Sequence, residues 1–194
     1  GHISINVKSL GVDMLSASAH KFNGMKGSGF LYIRKGIDIH PFSDGGSQER
    51  GKRAGTENVA ALVAMASSLK KNCERMEESA LKLHRIEERF LENLTAANLD
   101  YIKNGNSDHL PGSINISIRG ADGELLLHRL DLKGICISTG SACDSVNTQI
   151  SHVIKAIGVP EEYAKGTIRV SFGAENTEKD ADSIANSLID ILKL

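Results

Sequence analysis

Between Glu57 and Leu94 the apolar residues Val59, Leu62, Ala66, Leu69, Cys73, Met76, Ala80, Leu83, Phe90 and Leu94 recur at alternating spacings of three and four. A 3.6-residue repeat puts such positions on one stripe, so the stretch predicts one long amphipathic helix or two joined at a kink. The stripe is interrupted only near Glu87. A helix of this kind commonly bridges two domains, and a chain of 194 residues can hold one large domain or parts of two.

The flanking segments read as short elements. Upstream, Asp13 to Ser18 and Phe30 to Arg34 are apolar runs like strands of a buried sheet, separated by the glycine-punctuated Gly24-Met-Lys-Gly-Ser-Gly. A polar, glycine-rich loop from Ser43 to Gly55 holds Arg50, Lys52 and Arg53 and ends at Thr56, the expected N-cap of the long helix. Downstream, strands are predicted at Tyr101 to Lys103, Ser113 to Ile118, Ile135 to Ser138 and Thr167 to Phe172. Helices are predicted at Asp122 to Leu130, Ile150 to Ile157 and about Glu178 to Leu192, the last capped by Thr177 with Asp180 three residues on. That order implies an α+β layer of three or four strands faced by helices.

Charge and composition exclude some functions. With 23 Lys and Arg against 24 Asp and Glu, and no basic cluster, neither a nucleic-acid surface nor an anionic-membrane surface is expected, and the ligand should be small. No apolar run approaches the roughly 18 residues of a membrane span, and the opening GHISINVKSL lacks a signal-peptide design, so the expected location is cytoplasmic. Cys73, Cys136 and Cys143 are odd in number and widely spaced, which suits reduced thiols better than disulfides or a zinc site. His40, His84, His109 and His128 share no helical face, so no metal site is expected. The start at Gly1, with the strand-like His2 to Val7 following at once, hints at a missing upstream piece, although a tag remnant would also leave a glycine.

The strongest local signal is Ser16-Ala-Ser-Ala-His-Lys followed by the glycine-rich turn. A lysine at a strand end beside a histidine and hydroxyls can link to a cofactor aldehyde while its neighbours bind phosphate. Taken alone, Lys21 is more simply a solvated surface lysine. Thr139-Gly-Ser-Ala-Cys-Asp-Ser is small and polar, so it can present Cys143 as a reachable thiol; taken alone it is a tight turn. Cys73 on the apolar stripe and Cys136 in an apolar strand read as core thiols.

Ser18-Ala-His-Lys-Phe-Asn-Gly-Met-Lys-Gly resembles the cofactor-lysine segment of class V, fold-type I pyridoxal-phosphate enzymes, in particular the NifS/IscS-type cysteine desulfurases. Glu49-Arg-Gly-Lys-Arg-Ala-Gly-Thr is similar to that family's arginine-rich loop ending in a phosphate-binding threonine. Ser138-Thr-Gly-Ser-Ala-Cys-Asp-Ser is similar to its active-site cysteine loop, and Ile168-Arg-Val-Ser-Phe-Gly to its substrate-carboxylate arginine segment. Four motifs in the family's order are far more specific than any one of them.

The resemblance implies an α/β fold: residues 1–66 as the C-terminal part of the large-domain sheet and 67–194 as a small α+β domain, joined by the helix at about 57–94. It implies pyridoxal 5′-phosphate as cofactor, with Lys21 linked to it and later moving the substrate α-proton. Ser18 and His20 would bind its phosphate, and Thr56 would reach the phosphate of the neighbouring subunit's cofactor in a homodimer. Arg169 would clamp the carboxylate of L-cysteine, and Cys143 would take its sulfur as a persulfide, leaving L-alanine. The acceptor would be an iron–sulfur scaffold or another sulfur-receiving protein.

The family's upstream half supplies a ring-stacking histidine, an aspartate for the pyridinium nitrogen, a nearby glutamine and a phosphate-binding helix N-terminus, none of which these motifs include. The chain is therefore expected to be a C-terminal half that binds the cofactor weakly and self-associates through uncovered sheet surface. Met25 stands where the family usually has proline, and Leu194 follows the last helix without the longer tail some members extend toward scaffold partners. Two alternatives remain open: a non-catalytic C-terminal fragment that binds a partner or a separate N-terminal chain, and a selenocysteine lyase.

Overall fold

The computed structural model describes residues 1–139 and 150–192. The chain forms two compact units, Gly1–Met76 and Glu77–Leu194, each with its own core. Among the described residues no helix is long and apolar enough to cross a membrane.

In the first unit, β1 (Met14–Ser18) and β2 (Gly29–Ile33) pair antiparallel from Met14↔Ile33 to Ser18↔Gly29. Between them Ala19–Phe22 make one 3-10 turn, whose buried Ala19 and Phe22 pack with Met65 and the partly buried Ala17, Leu62 and Leu69. A single turn, α1 (Gln48–Gly51), holds Glu49 and Arg50 at positive φ, and α2 (Val59–Glu74) follows. The cap of α2 is Asn58, not the expected Thr56: the Val59 N–H donates to Glu57 O, and the Asn58 side chain accepts from the Ala61 N–H at 3.2 Å.

Burial in this unit is lighter than the apolar runs suggest. Alternation turns Ala17 toward α2, while Met14 and Leu31 on the other face of the hairpin remain 51% and 49% exposed. The covered edge of α2 is Ala61, Met65, Leu62 and Leu69, and Val59 and Ala66 are exposed. The partner of α2 is a single short turn, too small to cover the whole stripe. For the same reason Cys73, beyond Leu69, is exposed and not a core thiol.

In the second unit β3 (Tyr101–Lys103), β4 (Ser113–Ile118) and β5 (Thr167–Ser171) form an antiparallel sheet in that order. Ile114, Ile116, Ile118, Ile168 and Val170 point to one face and are at most 2% exposed. They meet Leu83, Ile86, Phe90 and Leu94 of α3 (Met76–Ala96), Leu126 and Leu130 of α4 (Gly123–Asp131), and Ala181, Ala185 and Leu188 of α7 (Glu178–Leu192). Short helices α5 (His152–Ala156) and α6 (Glu161–Ala164) lie between α4 and β5 in the chain. The final helix begins as expected, with Thr177 N and Oγ1 donating to Asp180 Oδ2 at 2.7 and 3.0 Å.

The helical stretch is two helices that part at Arg75, and the interruption of the apolar stripe at Glu87 lies inside α3. Glu87 is a buried carboxylate in the apolar row, hydrogen-bonded to His109 Nε2, accepting from the Gly112 N–H at 3.4 Å and lying 3.5 Å from Lys103 Nζ. The predicted strand Ile135 to Ser138 is reduced to one bridge, Ser138↔Arg169. The Ile135 N–H still donates to Leu130 O past the left-handed Gly134, which keeps the start of this segment tied to the end of α4. Ile135 and Ile137 pack on the core while Cys136, between them, is exposed, correcting its reading as a core thiol.

Helices α3 and α7 are joined by polar contacts as well. Asp182 accepts from Arg89 Nε and Asn93 Nδ2, both at 2.6 Å, and these bonds, Arg89 first, hold its carboxyl below the usual carboxylate range. A folded pKa below the unfolded one gives stability that is fully present above the ordinary carboxylate pKa and lost as pH falls through the lowered value. Asp182→Asn should therefore lower the urea midpoint near neutrality and leave it unchanged in strong acid. An equal loss at both pH values would show that the charge does not contribute.

Candidate functional site

The turn Ala19–Phe22 sorts its side chains by periodicity. With three residues per 3-10 turn, Ala19 and Phe22 lie one above the other on the inner side, and His20 and Lys21 are exposed together with the preceding Ser18. The expected strand-end lysine is thus on the turn that follows the strand. The Ala19 N–H donates to Ser28 O at 3.0 Å, and the Gly24 N–H donates to Ala19 O at 2.8 Å past the left-handed Asn23. A Cβ on Gly24 would lie 2.8 Å from Ala19 Cβ, and one on Gly29 only 2.5 Å from Ala17 O, so both positions require glycine.

Thr56 is exposed in the loop between α1 and α2. Within that loop Arg53 Nη1 donates to Gly55 O at 3.2 Å, and Lys52 pairs with Asp38 at 2.7 Å, which holds the Asp38 carboxyl below its usual range. Arg50, held at φ 60°, and Arg53 are both exposed, and neither has an ion pair among the described residues.

In the second unit Arg169 lies on the sheet face opposite the helices, half-buried, with Asn115 in register beside it on β4. Its other flank is Ser138: the backbones exchange hydrogen bonds at 3.1 and 2.6 Å, and Arg169 Nη2 donates to Ser138 Oγ at 3.3 Å. Asn115 Oδ1 accepts from Asn104 Nδ2 at 2.6 Å, and the same Nδ2 donates to Ser117 Oγ at 2.7 Å, continuing a polar row to Thr167. Thr139 Oγ1 donates to Glu124 Oε1 at 2.6 Å. Cys143 lies outside the described residues. Ser138 and Asn115 were not singled out by the sequence, where their only signal is a polar residue next to an apolar one in an extended run.

The structure thus brings Ser18, His20 and Lys21 together on one turn, and Arg169 with Ser138 and Asn115 on one sheet face. The aminotransferase class-V family model matches residues 1–184. The chain belongs to the aminotransferase class-V family. It is 44% identical over its whole length to a cysteine desulfurase IscS of Clostridium botulinum, and 45% identical to one of Dictyoglomus turgidum, of which it covers 49% and 48%. The chain therefore spans about half the length of the curated relatives it matches. Among solved structures, a NifS-like protein superposes with a TM-score of 0.88 at 33% identity, over 99% of this chain and 49% of that one. A NifS-like protein from Rickettsia africae gives 0.88 at 30%, over 100% and 51%. The α/β fold is that of the fold-type I enzymes these structures represent, over about half their length.

Enzymes of this family depend on pyridoxal 5′-phosphate. The turn in the first unit fits that group chemically. It exposes an amine able to condense with an aldehyde, and next to it a hydroxyl and an imidazole able to hydrogen-bond a phosphate. Its backbone is fixed from below by two buried side chains.

The close approach at Gly29 makes a prediction about this turn. Gly29→Ala must push the Ala17 carbonyl away, so the hairpin should open locally and amide exchange at Ala19 and at Phe30, the register partner of Ala17, should accelerate by about tenfold or more, the equivalent of roughly 1.4 kcal/mol. Unchanged exchange at both amides would show that β1 has room for the added methyl.

Proposed function

We propose that this chain is the lysine-, arginine- and cysteine-bearing part of a cysteine desulfurase, which moves sulfur from L-cysteine onto Cys143 and releases L-alanine. The observation that carries the reading is the turn that exposes Ser18, His20 and Lys21 side by side on a buried apolar footing. On this reading the first unit is part of the large cofactor-binding domain and the second is the small domain.

Bound pyridoxal phosphate supplies the electron sink that lets bonds at the substrate α- and β-carbons break. Lys21 holds the cofactor through Nζ and moves the substrate α-proton. Ser18 and His20 hold its phosphate, and Thr56 reaches the phosphate site of the second subunit of a homodimer. Arg169 grips the cysteine carboxylate through two parallel N–H bonds, which fixes the amino acid for reaction. The Cys143 thiolate attacks the substrate sulfur. The carbon–sulfur bond breaks, a sulfur–sulfur bond forms on Cys143, and the carbon skeleton takes up a proton and leaves as alanine. A thiolate of a sulfur acceptor in the cytoplasm, such as an iron–sulfur scaffold, then takes the outer sulfur, breaking the sulfur–sulfur bond and returning Cys143 as a thiolate.

The cofactor-loaded protein given L-cysteine should release alanine and gain one sulfur atom on the Cys143 peptide by mass spectrometry. Cys143→Ser should retain the cofactor and lose sulfide release; full turnover by that variant would sink the assignment.

A further inference from the structure

We infer that Ser138 is a positioning residue for Arg169, its hydroxyl orienting the guanidinium that receives the substrate carboxylate; this rests on the reading of Arg169 given above. Three observations meet at this residue. Ser138 and Arg169 are antiparallel partners with backbone bonds at 3.1 and 2.6 Å, so their side chains leave the sheet on the same face. Arg169 Nη2 donates to Ser138 Oγ at 3.3 Å. On the opposite flank Asn115 pairs in register with Arg169. The Arg169 side chain therefore leaves the sheet between two short polar side chains, and its guanidinium is bonded to one of them, Ser138.

The type of acceptor matters as much as its place. An arginine side chain has many rotamers, and fixing it before the ligand arrives removes an ordering cost from binding. A carboxylate at position 138 would fix it too, but would also neutralise the charge that an incoming carboxylate needs. A serine hydroxyl accepts one N–H and adds no charge. A guanidinium has five N–H donors, so using one leaves enough for a two-pronged grip on a ligand.

Ser138 also acts through its backbone. The bridge to β5 fixes the segment that leads into residues 140–149, and the next residue, Thr139, is tied to Glu124. The residue that orients Arg169 is therefore also the anchor of the chain leading toward Cys143. Substituting alanine removes only the hydroxyl, because the backbone bridge does not use the side chain.

The test compares Ser138→Ala, Ser138→Thr and Arg169→Ala in the cofactor-loaded protein, with an NMR readout of the Arg169 guanidinium in the full chain. Loss of one hydrogen bond to a charged group predicts that Ser138→Ala raises KM for L-cysteine about tenfold or more, with kcat within about twofold of wild type. The Arg169 Nη signals, identified by their loss in Arg169→Ala, should show faster rotation about Nε–Cζ. Ser138→Thr keeps the hydroxyl and should restore both readouts. The inference is overturned if Ser138→Ala leaves KM or the guanidinium signal unchanged, or if Ser138→Thr is as impaired as Ser138→Ala. Arg169→Ala with an unaltered KM would instead remove the carboxylate reading of Arg169, while the guanidinium signal still decides whether Ser138 holds it.

Discussion

Period-two alternation along β4 and β5 is the constraint on which the second unit depends. Ile114, Ile116 and Ile118 are at most 1% exposed, and each contributes about 1.5–3 kcal/mol by leaving water. Slipping the strand by one residue would put Ser113, Asn115 and Ser117 against α3, α4 and α7, at a cost on the order of 5 kcal/mol or more. The same alternation puts Arg169 on the opposite face, between Asn115 and Ser138. Core and candidate carboxylate site are therefore two consequences of a single register, and a change that moves one moves the other.

The first unit reaches a similar result with far less buried material. Its core centres on Ala19, Phe22 and Met65, and the spacing of Ala19 and Phe22 on a 3-10 turn decides which neighbours face out. Glycine at positions 24 and 29 lets that turn close against its own hairpin. The turn that carries the reactive-lysine candidate is held from α2, by the packing of Met65, Leu62 and Leu69 and by Asn72 Nδ2 donating to Phe22 O at 3.0 Å.

Much of this was legible in the sequence because it follows from local periodicity. The alternating Ser113 to Ile118 and the capped final helix appear where spacing puts them. What the sequence hid depends on partners distant in the chain. Glu87 looked like a break in the apolar stripe, because its contacts, His109, Lys103 and the Gly112 amide, come from a different part of the chain. Cys136 read as core because an apolar run does not reveal which of its residues face outward. Asn58 took the cap from Thr56 because a backbone bond between Glu57 and Val59 sets where the helix starts. Ser138 opens the cysteine-loop motif, but its contact with Arg169 was hidden because the two lie 31 positions apart.

On the proposed reading, the turn Ala19–Phe22 presents Lys21 as the cofactor-bearing amine of this class-V chain. Incubation with pyridoxal phosphate, borohydride reduction and peptide mapping measure this directly. The reduced cofactor mass should be concentrated on the Lys21 peptide and lost in Lys21→Ala. Labelling spread evenly over Lys8, Lys21, Lys26 and Lys35, as for any set of exposed surface amines, would contradict it.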